Sequence, residues 1–263
     1  MGQVRTKPKV IVVMPAYNAA RTLRLTYADL PNDLVDAVIL VDDASSDETL
    51  QVARELGLQV FLHTRNYGYG ANQKTCYREA LKSGADIVVM LHPDYQYDPT
   101  LLPEMIAPIQ NGEADVVLGS RLMGISPVKQ GMPRWKYVGN RFLTKLQNVA
   151  YGLELSEYHT GYRAYSREAL EAVSFEMNSD QFIFDQEIIT QFVQSKLRIR
   201  DIPVPTRYFA EASSISFWNS ARYGLSILWV LFRFKLHQTG IWTERSLESL
   251  ATRYAPVSKQ GPV

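Results

Sequence analysis

A single cysteine, Cys76, occurs in 263 residues, so no intrachain disulfide can form. With only four histidines and no Cys/His cluster, a structural zinc site is excluded and the thiol usage fits a reducing compartment. Charge of one sign is also lacking: 28 Lys and Arg stand against 27 Asp and Glu, which gives no general attraction to nucleic acid and removes it as a partner. Long apolar runs are missing too. The most apolar stretch, Tyr223 to Phe234, is about half of the roughly 20 residues needed to span a bilayer, and Arg233 and Lys235 interrupt its end. The polar, basic start from Met1 to Lys9 has no signal-peptide core, so a cytoplasmic location is expected. Repeats and low-complexity tracts are absent, and 46% hydrophobic residues exclude a disordered chain.

What is present is a succession of short apolar runs, each ending in polar residues. The most pointed is Val88 to Pro99, V-V-M-L-H-P-D-Y-Q-Y-D-P. Its first four residues show no polar alternation, the mark of a strand covered on both faces. His92, Asp94, Gln96 and Asp98 then alternate with Pro93, Tyr95, Tyr97 and Pro99. If the segment stays extended, the four polar side chains share one side and form a site for an oxygen-loving divalent cation; if it turns, they are solvated loop residues.

Strands are expected at Val10 to Met14, Ala37 to Val41, Gln59 to His63, Ile87 to Leu91 and Asp115 to Gly119. Helices are expected between them at Ala19 to Leu30, Glu48 to Leu56, Tyr69 to Ser83 and Leu101 to Gln110. This alternation specifies a Rossmann-like α/β domain with a mostly parallel sheet flanked by helices. Pro127, Gly131 and Pro133 mark a long loop before a basic-faced helix, Lys136 to Gly152. Strands near Tyr162 to Tyr165 and Arg198 to Pro203 flank a helix at Asp185 to Ser195, and Pro256 to Val263 reads as a mobile tail.

In open α/β sheets, ligands gather at the carboxyl ends of the strands. There Tyr17 and Asn18 follow the first strand, Asp42 and Asp43 the second. Tyr17 is either a turn residue or a ring that stacks on a base; Asp43 is either a helix cap or an acceptor for the imino and amino groups of uracil or guanine. Asp47, with Ser45 and Ser46, reads as capping. The turn Asn66 to Gly70 lacks the third glycine of a dinucleotide fingerprint and follows the third strand, which excludes a Rossmann dehydrogenase. Gly70, opening a helix, still permits a phosphate or sugar to approach backbone N–H groups.

Six motifs occur in order: V-I-V-V-M-P-A-Y-N, I-L-V-D-D-A-S-S-D-E-T, N-Y-G-Y-G-A-N, H-P-D-Y-Q-Y-D-P, D-V-V-L-G-S-R and Y-H-T-G-Y-R-A-Y-S-R. With them the chain resembles family 2 glycosyltransferases of the GT-A fold, in the dolichol-phosphate mannose synthase and polyprenyl-phosphate branch. The resemblance spans about two thirds of the chain. It implies inverting transfer of a hexose from a GDP- or UDP-sugar to a polyprenyl or dolichyl phosphate, with a Mg²⁺ or Mn²⁺ cofactor. Alternatives are a saccharide hydroxyl acceptor or a non-catalytic nucleotide-sugar-binding subunit. It further implies that Pro15, Tyr17, Asn18, Val41 and Asp43 line the donor pocket, that Asp94 and Gln96 hold the metal, and that Arg121 and Arg163 cradle the acceptor phosphate with Arg134 and Arg141 as helpers. Two residues depart from the family pattern: His92 stands for an aspartate and Ala19 for a glutamate. Imidazole tolerates Mn²⁺ better than Mg²⁺, so the metal preference turns on His92.

His159 reads as a structural hydrogen-bonder; Asp185 and Glu187 are the acids from which a hydroxyl acceptor would take its base. The family's lipid-side arginine has no clean match at Phe209 to Ser214, with Arg207 nearby. A division into residues 1–215 and an amphipathic extension, 216–263, is expected. From Phe217 to Trp242, aromatics interleave with Arg222, Arg233, Lys235 and His237. That pattern suits a peripheral membrane contact or, equally, a helix packed on the catalytic domain or in an interface with a second copy, with a membrane-subunit partner as a further candidate.

Overall fold

The computed structural model describes residues 7–124, 127–207 and 217–248. In order the elements are β1 (Val10–Ala16), α1 (Ala20–Ala28), β2 (Ala37–Asp42), α2 (Thr49–Glu55), β3 (Gln59–Leu62), α3 (Tyr69–Lys82), β4 (Ile87–Met90), α4 (Leu102–Gln110) and β5 (Val116–Ser120). The chain continues with α5 (Arg134–Tyr151), β6 (Arg163–Ser166), α6 (Arg167–Glu171), α7 (Phe184–Gln194), β7 (Ile199–Pro203) and α8 (Phe217–Gln238). Every expected strand and helix is present to within about two residues at its ends. Only α6 was not foreseen; Ser166 starts it by accepting from the Ala169 N–H.

The seven strands lie in the order β3-β2-β1-β4-β6-β5-β7, and β6 alone is antiparallel to its neighbours. All seven residues of β1 are buried, because alternate side chains feed two cores. Ile11 and Val13 pack with Tyr77 of α3 and Phe184, Ile188 and Phe192 of α7. Val10, Val12 and Met14 pack on the other face with Leu23 of α1, Val52 of α2 and Met105 of α4. Beyond this sandwich, α8 packs against α5 and α7, with Phe234 fully buried against the Tyr151 ring. The expected division at 215/216 and the expected mobile tail fall outside the described residues.

Two left-handed residues re-aim the chain after β1 and β2, namely Asn18 (φ 53°) and Ala44 (φ 61°), and Tyr95 (φ 57°) does so after β4. Such conformations cost about 1–3 kcal/mol each in a non-glycine residue and gather where geometry must be exact for a ligand. Tyr95 also settles the shape of the segment after β4: the chain turns at Pro93 to Tyr95, so His92 to Asp98 is not extended and strand alternation does not decide which of its side chains share a face.

Gly70 and Gly139 should respond oppositely to alanine. A Cβ at Gly70 would collide with the Ser179 carbonyl and lie 2.9 Å from Phe184 Cβ, whereas one at Gly139, within α5, meets nothing within 4 Å. Thermal unfolding should show Gly70→Ala losing about 1–3 kcal/mol and Gly139→Ala gaining about 0.5–1 kcal/mol.

Candidate active site

Because β2, β1 and β4 are parallel neighbours, with Ala16 opposite Asp42 and Val13 opposite Met90, their carboxyl ends open side by side. Antiparallel β6 begins at that same edge: Arg163 lies opposite both Met90 and Leu118. The motif before it, His159 to Tyr162, is thereby delivered to the ends of β4 and β5. Chain direction, invisible in the apolar pattern, is what joins the first and last motifs.

On the β1/β2 side, Tyr17 is 55% exposed and free to meet a ligand, while Asn18 Oδ1 accepts from the Ser46 N–H at 2.9 Å and holds the two strand ends together. Asn72 of α3 does the same from below, donating to the Ala16 and Val41 carbonyls at 3.3 and 3.0 Å. Its motif was noted in the sequence, but its role was not. Asp43 is buried, and its oxygens accept from His63 Nδ1 at 2.6 Å and from the Tyr67 and Gly68 N–H groups at 2.9 and 3.0 Å. Asp43 thus shapes the glycine turn from within the fold. Asp42 Oδ1 accepts from Ser45 N–H, and its Oδ2 is buried without a partner among the described residues.

Two sequence expectations change here. Val41 is fully buried in the core beneath α3, so its side chain lines no pocket. Gly70 donates its N–H to the Asp180 carbonyl at 2.8 Å with the 179–184 backbone against its Cα; its smallness serves packing, not phosphate approach.

After β4, Asp94 is half-buried, its Oδ1 accepting from the Gln96 N–H at 3.1 Å, and the Gln96 side-chain amide makes no hydrogen bond among the described residues. The loop is tied down on its far side. Arg207 donates from its backbone to the Gln96 carbonyl at 2.8 Å, pairs with Asp98 at 3.0 Å and stacks over the Tyr95 ring, whose hydroxyl donates to Asp29. Asp98 also caps the turn at Pro99 by accepting from Thr100 N–H, which accounts for both of its oxygens.

Between α3, β6 and α7 lies a buried polar hub. Asp185 Oδ1 contacts Arg163 Nη1 at 2.6 Å and accepts from Gln73 Nε2 at 2.9 Å; its Oδ2 accepts from the Tyr69 hydroxyl at 2.8 Å. Tyr77 extends the hub by donating to Gln73 Oε1 at 2.6 Å. Arg163 is fully buried, and none of its nitrogens makes an aligned hydrogen bond among the described residues, so its bond to Asp185 is ionic. Burial first, then the Asp185 carboxylate, hold the Tyr69 phenol well above its ordinary pKa, and it remains a donor. His92 borders this hub, 3.3 Å from the Tyr69 oxygen, and burial lowers its pKa.

A second buried ion pair lies under the first turn of α5. Glu157 is fully buried; it accepts from the Arg121 N–H at 2.7 Å, from the Arg121 guanidinium, and from Asn140 Nδ2 at 2.6 Å. His159 Nδ1 donates to Asn140 Oδ1 at 3.0 Å, and burial lowers its pKa to about 4, which fits its structural reading. Lys136, on the same turn, has its pKa lowered by burial and then by Arg121. The sequence signalled it only as one basic residue of a basic helix. Neither Arg121 nor Arg163 is an open surface cation: each is buried against a carboxylate, which corrects the picture of two free arginines forming a cradle.

A mostly parallel sheet with aromatic, amide and carboxylate groups along one carboxyl edge is the GT-A fold of a glycosyltransferase. The family model described as glycosyl transferase family 2 matches residues 11–174, and the chain belongs to that family. It is 27% identical over 244 residues to the UDP-N-acetylglucosamine–dolichyl-phosphate N-acetylglucosaminyltransferase of Methanococcus voltae, covering 86% of this chain and 96% of that one. It is 26% identical over 248 residues to the undecaprenyl-phosphate mannosyltransferase of Micrococcus luteus, covering 87% and 99%. Glucosyl-3-phosphoglycerate synthase from Mycobacterium tuberculosis, solved with Mn²⁺, UDP-glucose and phosphoglyceric acid, has a similar fold at TM-score 0.65 and 18% identity, covering 86% of this chain and 79% of that one.

Removing one member of the hub's ion pair should be costly. Asp185→Asn leaves the buried Arg163 charge uncompensated and should cost about 3–5 kcal/mol in urea unfolding, while adding Arg163→Met should recover part of that loss. A single-variant cost below about 1 kcal/mol would show that the pair does not anchor the fold.

Proposed function

We propose that this glycosyltransferase transfers a hexose, with inversion, from a nucleoside diphosphate sugar to a polyprenyl phosphate at a membrane surface. The observation that carries the reading is that, among the described residues, the carboxylates around this edge other than Asp94 are already engaged. Asp185 is held by Arg163, Tyr69 and Gln73; Glu187 accepts from the Ser179 N–H; Glu157 is held by Arg121; Asp43 is held by His63 and two backbone N–H groups. A saccharide hydroxyl must lose a proton to attack, whereas a phosphate monoester arrives ionised and needs only positioning and charge balance. The acceptors printed in the names of the two full-length relatives support this choice.

On this reading the base stacks on Tyr17 beside Pro15 and Asn18, and the diphosphate extends past β1 toward Asp94. Among the described residues no cluster of three or more His, Cys, Asp or Glu side chains converges, so a cation here would draw its remaining ligands from the diphosphate. Asp94 and the free Gln96 amide oxygen are hard donors suited to Mg²⁺ or Mn²⁺. Such a cation, when bound, offsets the charge that develops on the departing nucleoside diphosphate. We place the acceptor phosphate at the first turn of α5, where Lys136 stands beside the Arg121–Glu157 pair and Arg134, two residues earlier, is exposed. Arg163 then acts from within, fixing Asp185.

The outer faces of α5 and α8 supply the lipid side. Trp135, Val138, Phe142 and Val149 recur along one stripe of α5, and Leu225, Trp229 and Phe232 along one of α8. All seven are exposed, with Val149 at 75% and Trp229 at 58%, and Arg141, Lys145 and Arg222 border them. Among the described residues no helix is long and apolar enough to cross a membrane, so this face meets the interface in the manner of an amphipathic surface.

The test is a panel of UDP- and GDP-sugars radiolabelled in the sugar, with undecaprenyl phosphate in anionic vesicles and Mn²⁺ or Mg²⁺. Label should partition into organic solvent, and Asp94→Ala should lower kcat/KM by about a hundredfold or more, the several kcal/mol a Lewis acid contributes. Transfer only to water-soluble saccharides would overturn the proposal.

A further inference from the structure

His92 occupies a built niche. Tyr69 stacks on one side of its ring, with centroids 5.6 Å apart and an interplanar angle of 23°. Gly161 closes on the ring as well: a Cβ there would lie 2.7 Å from His92 Cδ2 and 3.1 Å from Nε2. Hydrogen-bond direction then fixes which ring nitrogen carries the proton. The Tyr69 hydroxyl has a single hydrogen, and it is donated to Asp185 Oδ2 at 2.8 Å. Its oxygen can therefore only accept from His92, and Nε2–H donates to it across 3.3 Å. The proton on Nε2 leaves the lone pair of the neutral ring on Nδ1. That atom has no hydrogen-bond partner among the described residues, yet it is not one of the buried unpartnered atoms, in contrast to His159 Nε2. Asp94, two residues on, lies close enough for its charge to act on this ring.

An imidazole whose other N–H is held by a carboxylate, directly or through one relay, is the arrangement that orients and strengthens a metal ligand. We propose that His92 ligates the cation of this site through Nδ1, that Tyr69 and Asp185 act as positioning residues behind it, and that the site thereby favours a first-row transition cation over Mg²⁺. This rests on the reading that Asp94 holds a divalent cation. Mg²⁺ demands oxygen donors in near-ideal octahedral geometry, so replacing one carboxylate with imidazole penalises it more than it penalises Mn²⁺. The niche also gives Gly161 a reason to be glycine: any side chain there would push the ring off its axis.

The experiment is pulsed electron paramagnetic resonance of Mn²⁺ bound to the full chain, with UDP and separately with GDP. The proposal expects coupling to a directly bound imidazole nitrogen, lost in His92→Asp together with about a tenfold fall in the Mn²⁺ over Mg²⁺ preference. Tyr69→Phe keeps the stacked ring and removes only the hydroxyl; it should weaken Mn²⁺ binding about 10–100-fold. Mn²⁺ that binds, is lost in Asp94→Ala, and shows no nitrogen coupling would overturn the role of His92 while leaving that of Asp94. Failure of Mn²⁺ to bind with either nucleotide would overturn both.

Discussion

The Asp185–Arg163 contact is the interaction on which the site depends, because it brings together parts of the chain that sheet topology alone does not align. Asp185 opens α7, Arg163 opens the antiparallel strand β6, and Tyr69 and Gln73 come from the first turns of α3. A buried carboxylate is tolerable only when its charge and its acceptor sites are both satisfied, and here a guanidinium, a phenol and an amide share that task. The same phenol reaches His92 at the end of β4, so the hub extends to the loop that carries Asp94.

This arrangement separates two duties that surface residues would otherwise share. Buried pairs, Asp185 with Arg163 and Glu157 with Arg121, hold the floor of the site rigid. Tyr17, Asp94, Gln96 and Lys136, by contrast, keep part of their surface open to solvent. The left-handed residues Asn18, Ala44 and Tyr95 mark where strand ends were bent to present those groups, at a cost met by the core on either side of the sheet.

Much of this was legible in the sequence. Apolar runs without alternation located β1, β2, β4 and β5, since burial on both faces of a mostly parallel sheet leaves that imprint. The same runs put Tyr17 and Asn18 beyond the end of β1 and Asp94 and Gln96 beyond the end of β4. Partners between distant segments were not. The ring of His92 is set by Tyr69 and Gly161, and Arg121 is claimed by Glu157, through contacts whose sequence separations carry no periodicity. Gly70 was misread because a glycine that admits a neighbouring loop and one that admits a phosphate look alike until the loop is in place.

The central claim is that, among the described residues, the carboxylates around the site other than Asp94 are engaged or buried, so the nucleophile must arrive charged. The pH dependence of kcat/KM for transfer to a polyprenyl phosphate tests it most directly. The account predicts that the rate rises with the acceptor's own second ionisation, near pH 6, then levels off, and that a thiophosphate acceptor moves the midpoint to lower pH. A midpoint that ignores the acceptor and vanishes in Asp185→Asn would identify a protein base and contradict the account.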